Sequence, residues 1–365
     1  MSAWVTYMPE SNQPSRLLTY AQAINEATHQ AMAADPSVIC FGLGVTDPGA
    51  VFGTTRDLEK TFGSDRVFDG PTSENAMTGV AVGAALAGLK PIMTHQRLDF
   101  FLLAMDQLVN SAAKWHYMFG GQFTVPLTIR LVIGRGWGQG PTHSQNLHAW
   151  FAHIPGLKVV MPSTPKDAKE LLLASIYDPN PVIYLEPRWL HNVTEQVPIE
   201  PTLGVIGQAR IARTGSDITI VASGYLTLEA IRASDHLSQT GITCDVIDLR
   251  TISPMDWTTI LNSVRKTGRL IAVDSGAFTG SIAGEIIARV VASRDVRLRC
   301  APVRLTQPDV PEPTSLGLIG GYHVEGSRIT KSVLEAMGGL LGGTFEEISE
   351  HVPLDVPGVW FKGPF

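Results

Sequence analysis

Charge is scarce in this chain of 365 residues: 17% of positions are Asp, Glu, Lys or Arg, against 44% hydrophobic. So thin a charge coat predicts large surfaces buried against other subunits. The 34 acids outnumber the 28 bases, giving a net charge of −6. That argues against nucleic acid or an anionic membrane as the main partner. Cysteine is rarer still. Cys40, Cys244 and Cys300 lie scattered in apolar segments, which excludes a disulfide framework or a cysteine metal site and fits a reducing compartment. The longest apolar run, Val80 to Leu89, is far too short to span a bilayer. Residues 1–16 have no hydrophobic signal core and little arginine, so a cytoplasmic protein is expected. The pattern Gly-x-x-x-x-Gly-Lys-Ser/Thr is missing, and with it a P-loop.

What is present is an alternation of short apolar runs with helical periodicity. Thr19 caps a helix to Ala34. Strands are expected at Ser37–Leu43, Leu89–Met93, Val125–Ile133, Lys158–Met161 and Pro181–Glu186. Helices are expected at Thr72–Leu89, at Phe100–Tyr117 and from the Thr164 cap to Ile176. A proline- and glycine-marked break follows, then a second alternation. Its strands are Ile218–Ala222, Thr243–Asp248, Leu270–Asp274 and Val303–Thr306, and its helices are Thr227–Gln239, Asp256–Lys266 and Gly284–Ala292. Such alternation implies parallel sheets covered on both faces. The expected fold class is α/β with two doubly wound domains. The expected organisation is an arm at 1–16, a domain at 17–195, a linker at 196–212, a second domain at 213–337 and an extension at 338–365.

Few motifs carry chemistry. Glu74 follows the turn Pro71-Thr72-Ser73 and opens a stretch of small apolar residues. It reads either as a helix-start acid favoured by the macrodipole or as a desolvated carboxyl group with a raised pKa, able to share a proton with a heterocyclic nitrogen. Gly134 to Gly140 imitates a dinucleotide fingerprint, but no helix follows it, so it reads as a loop. In Thr142-His143-Ser144-Gln145, His143 can move protons near neutrality or play a structural role. Its neighbour Ser144 does not by adjacency make a nucleophile–base pair. Phe100 and Phe101 read as core, and Asp178-Pro179-Asn180-Pro181 as a turn.

Together these segments resemble the beta subunit of the thiamine-diphosphate-dependent first component of 2-oxoacid dehydrogenase complexes. The stretches that carry the resemblance are Phe62–Glu74, Asp106–Lys114, Gly120–Gln122 through Val125–Leu127, His143–Gln145, Pro155–Lys169, Val246–Asp256 and Lys266–Leu270. It covers roughly residues 17–336. It implies a transketolase-like pyrimidine-binding domain followed by a transketolase C-terminal-like domain. It also implies roles. Glu74 falls on the family's glutamate that hydrogen-bonds the aminopyrimidine ring and promotes loss of the thiazolium proton. Phe100 falls on an aromatic lying against that ring. His143 falls on a histidine that steadies the substrate carboxylate or moves protons. Asp178 and Asn180 fall where family members hold a structural potassium through nearby carbonyls. Family alpha subunits carry Gly-Asp-Gly and a downstream Asn that bind magnesium and the diphosphate. Gly-Asp-Gly is absent here, so the resemblance implies an alpha-like partner, an α2β2 assembly, a small 2-oxoacid substrate such as pyruvate, and a lipoyl-bearing acyltransferase as acceptor.

Some positions depart from the family pattern. Leu43 and Thr94 stand where acids are usual. Thr94-His95-Gln96-Arg97 replaces a more apolar stretch, and Trp137 is unusual before His143. His95 and Arg97 either shape an unusual acceptor pocket or form a solvated loop. The departures keep two rivals open: a carboligase or split-transketolase-like ketol transferase with the same cofactor, and a non-catalytic scaffold.

Overall fold

Thr19 closes a capping box. Its Oγ1 accepts from Gln22 N–H at 3.1 Å, and its own N–H donates to Gln22 Oε1 at 2.8 Å. The helix Tyr20–Ala34 starts there and buries Tyr20, Ala23, Ile24, Ala27, Ala31 and Met32, one apolar stripe. It belongs to the first of two units in this computed structural model, which describes residues 14–134 and 138–339 and positions 356, 358, 360, 361 and 363. Unit 1 comprises residues 1–132 and 154–206, and unit 2 residues 133–153 and 207–365. Trp137 and most of the arm and extension expected at the two ends lie outside the described residues.

The strands in chain order are β1 (Ser15–Thr19), β2 (Val38–Gly42), β3 (Val67–Asp69), β4 (Lys90–His95), β5 (Thr128–Ile133), β6 (Lys158–Val160), β7 (Val182–Pro187), β8 (Thr194–Pro198), β9 (Arg210–Arg213), β10 (Ile218–Ala222), β11 (Cys244–Asp248), β12 (Thr251–Ser253), β13 (Leu270–Ala277) and β14 (Val303–Gln307).

In unit 1 six strands run in the order β6-β7-β5-β4-β2-β3. The pairs β2–β3, β2–β4, β4–β5 and β6–β7 are parallel. Val182 N–H donates to Leu127 C=O at 2.9 Å, so β7 begins beside the start of β5. Every residue of β2, β5 and β7 is buried, as a sheet covered on both faces requires. All the strands' carboxyl ends therefore lie at one edge, where open α/β sheets place their ligands. A separate antiparallel pair, β1–β8, registers Leu17 opposite Gln196. β8 enters the segment expected to be a linker.

The single helix expected over Phe100–Tyr117 is instead a succession. An α turn (Leu98–Phe101) is followed by a 3₁₀ turn (Leu102–Ala104), a π-helical stretch (Gln107–Ala112) and a last α segment (Ala113–Met118). Apolar periodicity cannot reveal such a widening, because the side chains that mark it are polar. Asn110 Nδ2 donates to Asp106 Oδ1 at 2.7 Å, and Gln107 Nε2 to Asp106 Oδ2 at 3.3 Å. Gln107 lies against Gly79 of the helix Glu74–Leu86, where a Cβ would stand 3.5 Å from Gln107 Oε1.

In unit 2 the order is β14-β13-β10-β11-β9. β9 is antiparallel to β11, and the pairs β10–β11, β10–β13 and β13–β14 are parallel. β9 also begins in the stretch read as linker. Its polar residues are those of a charged sheet edge: Arg210 Nη2 donates to Asp248 Oδ2 at 2.9 Å, and Arg213 forks Asp235 at 2.6 and 2.8 Å. Ile218, Ile220, Val246, Ile271, Ala230 and Ile329 are among the buried core residues. Asp256 and Ser281 cap the helices Trp257–Thr267 and Ile282–Ala292. His148 Nε2 meets Asp274 Oδ1 at 2.7 Å and anchors residues 133–153 in this unit.

The three cysteines are free. Burial pushes the Cys40 thiol up to about 11 and the Cys244 thiol up to about 12, so both stay protonated and inert. Among the described residues no helix is long and apolar enough to cross a membrane.

Candidate active site

Glu74 is the first residue of its helix and stands just beyond the carboxyl end of β3. Gly70 N–H donates to Gly42 C=O at 2.9 Å, which fixes this turn against the end of β2. Glu74 is 7% exposed. Ser73 supplies no side-chain cap, and the Glu74 carboxylate makes no hydrogen bond or ion pair among the described residues. A nearly buried carboxylate with no partner among the described residues is suited to take or hold a proton for a ligand.

Phe100 and Phe101 divide the roles read for them. Phe101 is fully buried, edge-on to His95 at 5.0 Å. Phe100 is half-buried in the turn that follows β4. Leu43 and Thr94 sit at the same edge, where Leu43 N–H donates to Thr94 C=O at 3.1 Å. Glu74 and Phe100 thus share the carboxyl edge of unit 1.

His143 belongs to the segment that groups with unit 2. It is half-buried, with Nδ1 3.0 Å from Thr142 Oγ1. Ser144 Oγ is buried and makes no hydrogen bond among the described residues, so it forms no nucleophile pair with a histidine there. Asp178 and Asn180 precede β7 and therefore lie at the opposite, amino edge. The Asp178 carboxylate accepts from Asn180 N–H at 2.9 Å and pairs with the Lys158 ammonium. Asn180 Oδ1 is buried without a hydrogen bond. Among the described residues no group of three or more His, Cys, Asp and Glu could hold a metal ion.

A cluster of buried charge at the carboxyl edge was only half foreseen. Arg130, on β5, forks Glu186, on β7, at 2.6 and 3.0 Å, and both side chains are fully buried. Burial opposes the Arg130 charge, but Glu186 outweighs it and raises its pKa. Beyond the end of β7, Arg188 lies 4.4 Å above the Phe52 ring, and Arg97, beyond β4, lies 5.9 Å from the same ring. His191 meets Phe52 edge-on at 6.0 Å and stacks on Tyr20 at 5.9 Å. Burial, then Arg188, Arg130 and Arg97, push the His191 pKa well below the usual 6.5. Its Nε2 is 3.7 Å from Glu186 Oε2, beyond hydrogen-bonding range, so the cationic surroundings prevail and the ring stays neutral. Burial alone pulls His95 down to about 4. Arg97 and His95 stood out in sequence. Arg188, His191 and Phe52 did not, although charge directly after the wholly apolar run Val182–Leu185 was a signal for them.

Comparison with known proteins agrees with this architecture. The family described as "Transketolase, pyrimidine binding domain" matches residues 16–193, and "Transketolase, C-terminal domain" matches residues 207–323. The chain is 43% identical over 302 residues to the pyruvate dehydrogenase E1 component subunit beta of Acholeplasma laidlawii, covering 82% of this chain and 92% of that one. It is 39% identical over 335 residues to the acetoin:2,6-dichlorophenolindophenol oxidoreductase subunit beta of Cupriavidus necator, covering 89% and 99%. A solved split-gene transketolase, an inactive beta4 tetramer, shares the fold with a TM-score of 0.71 and 19% identity, over 88% of this chain and 98% of that one. With both domain families matched and relatives near 40% identity along most of its length, the chain belongs to the beta subunits of heteromeric 2-oxoacid dehydrogenase E1 components, a family that implies thiamine diphosphate as cofactor and an alpha subunit as partner.

Proposed function

We infer that this chain is the pyrimidine-binding half of an enzyme that decarboxylates a small 2-oxoacid, pyruvate or a near relative, and passes the acyl fragment to a lipoyl group. The observation that carries the reading is Glu74, a nearly buried carboxylate at the ligand edge of a parallel sheet with no side-chain partner among the described residues. A heterocyclic nitrogen fits it, and the half-buried Phe100 ring at the same edge offers a face for a flat heterocycle. Thiamine diphosphate, when bound, supplies the carbon nucleophile and electron sink that 2-oxoacid decarboxylation needs.

Glu74 holds a proton shared with the pyrimidine ring, Phe100 packs against that ring, and His143 steadies the substrate carboxylate or relays a proton. Magnesium and the diphosphate are assigned to an alpha-like chain carrying Gly-Asp-Gly and a downstream Asn, in an α2β2 assembly. A structural potassium is assigned to the Asp178–Asn180 turn, supported by the buried Asn180 Oδ1 that makes no hydrogen bond. The pyrimidine-binding domain is assigned to residues 17–195 and the C-terminal-like domain to 213–337. The cytoplasm is assigned as compartment, in keeping with three free thiols.

The test is co-expression with a Gly-Asp-Gly chain and an assay of 2-oxoacid-dependent dye reduction. Glu74→Gln should fold and assemble normally while turnover falls by about 10²–10⁴. Turnover near that of the unmodified enzyme would overturn the role of Glu74. Failure of the two chains to assemble would overturn the half-enzyme reading.

A further inference from the structure

His143 is carried by a segment that unit 2 grips on both sides of it. Upstream, Gly138 and Gly140 both have φ of +69° and run close against Thr314. A Cβ at Gly140 would collide with Thr314 Oγ1, and one at Gly138 would stand 3.0 Å from Thr314 C=O. Glycine serves both the turn and the close approach. Downstream, His148 Nε2 meets Asp274 Oδ1 at 2.7 Å, and the two residues are 1% and 3% exposed. A Cβ at Gly276 would stand 3.3 Å from Asp274 Oδ1, 3.5 Å from His148 Cε1 and 3.7 Å from Asn146 C=O. The end of β13 thus lies bare against this tie.

The downstream grip is concentrated in one bond. Burial works to raise the Asp274 pKa, but His148 and the N–H groups of Gly276 and Ala283 outweigh it, so the carboxylate is ionised. An ionised carboxylate draws the imidazole proton to Nε2 and leaves Nδ1 as an acceptor. Nδ1 is buried and makes no hydrogen bond among the described residues. All the polar binding of this ring therefore goes to Asp274. Two side chains between His143 and His148 hold less. Ser144 Oγ makes no hydrogen bond among the described residues. Asn146 Nδ2 reaches Ser144 C=O at 3.5 Å, a contact inside the segment itself. His143 donates its own N–H to Gly140 C=O at 3.3 Å, and its Nδ1 is 3.0 Å from Thr142 Oγ1. Those two partners also belong to the segment, so the ring moves with its backbone.

We propose that Asp274 and His148 are positioning residues for His143: their bond sets the course of residues 140–148 and, through it, where the His143 imidazole stands. This rests on the reading that His143 acts on the substrate. It gives the C-terminal-like domain a part in the reaction, because a carboxylate on β13 decides how firmly a substrate-facing ring is held. A misplacement of about 1 Å is enough to cost a large factor in rate.

The test has two readouts. The first is hydrogen exchange of the full chain without cofactor, substrate or alpha subunit, at labelling times too short for β10 and β11 to exchange. In Asp274→Asn the amides of residues 141–147 should exchange about tenfold faster or more. Unchanged exchange there, or a rise spread equally over unit 2, overturns the positioning role. The second is steady-state kinetics of the assembled two-chain enzyme. Asp274→Asn should lower kcat/KM about tenfold or more. In a His143→Asn background the same change should cost less than about twofold, because the ring it positions is gone. Losses that multiply in full overturn the role. If His143→Asn by itself leaves turnover unchanged, the part given to His143 in the proposed function falls, and the exchange result still decides whether the pair holds the segment. Should Asp274→Asn fold poorly, His148→Phe breaks the same bond while leaving Asp274 its two backbone donors, and the same outcomes apply.

Discussion

The two sheets treat buried charge in opposite ways. In unit 2 four buried acids are matched among the described residues. Asp245 takes Lys266 at 2.8 Å, Asp248 takes Arg210 at 2.9 Å, and Asp274 takes His148 at 2.7 Å. Glu229 takes Arg232 at 3.0 Å and also the first N–H of the helix Gly326–Ala336 at 2.7 Å. Those carboxylates hold loops, strand edges and helix ends. In unit 1 Arg130–Glu186 is closed in the same way, as is Lys169 with Glu26 at 2.6 Å, and beyond the first pair arginines and neutral imidazoles lie at the carboxyl edge. Matched charge fixes shape.

The largest effect should come from Arg130–Glu186, whose two side chains are both fully buried. Glu186→Gln leaves the Arg130 guanidinium fully buried without its carboxylate, and a loss of about 3–5 kcal/mol is expected in denaturant unfolding. A loss below about 1 kcal/mol would mean that the pair is no different from an exposed one, and the contrast between the units would fail.

Acid should separate the units next. The folded-state pKa values of His95 and His191 lie below their unfolded values. As pH falls, the unfolded chain takes up protons first. The stability these neutral rings contribute is complete above about 6.5 and drains away as pH falls through that value toward about 4 for His95. The slope is about 1.4 kcal/mol per pH unit for each ring. His95→Phe should remove one ring's share of that slope. An unchanged slope in this variant would show that the folded protein already carries the imidazole charged.

Much of this contrast was legible in the sequence, but unevenly. Thr19 and Gln22 announce their helix because a capping box is a local device. The β2, β4, β5 and β7 strands announce themselves as apolar runs. Glu74, Phe100 and His143 could be singled out because long ordered motifs surround them. The π-helical stretch Gln107–Ala112 was hidden, since hydrophobic spacing is nearly the same for a regular and a widened helix over two turns. β8 and β9 were hidden because edge strands can be polar. The Phe52 cluster was hidden for a different reason. Its members come from residues 52, 97, 188 and 191, so only the parallel sheet, which brings separate strand ends to one edge, puts them together.

Unit 2 offers the reverse pH test. Asp274 accepts from His148 and from the N–H groups of Gly276 and Ala283 at 2.8 and 3.2 Å. Burial works to raise its pKa, but His148 and these backbone donors outweigh it, and the net shift is downward. Its contribution is therefore present above the unfolded value of 3.8 and is lost as pH falls through the lower folded value. Asp274→Asn should cost about 2 kcal/mol at pH 7 and less at pH 3. A gap that stays constant between the two would mean that shape, not charge, is what Asn fails to supply.

Thr19→Ala serves as the reference for all of these. It removes a cap from the helix Tyr20–Ala34 without touching a charge, so about 1 kcal/mol should be lost. That loss should be the same at pH 7, 5 and 3, because neither Thr19 nor Gln22 titrates. If the Thr19→Ala deficit itself grew toward pH 5, acid would be loosening the whole of unit 1 before its histidines were protonated. The slope assigned to His95 and His191 would then belong to the fold at large.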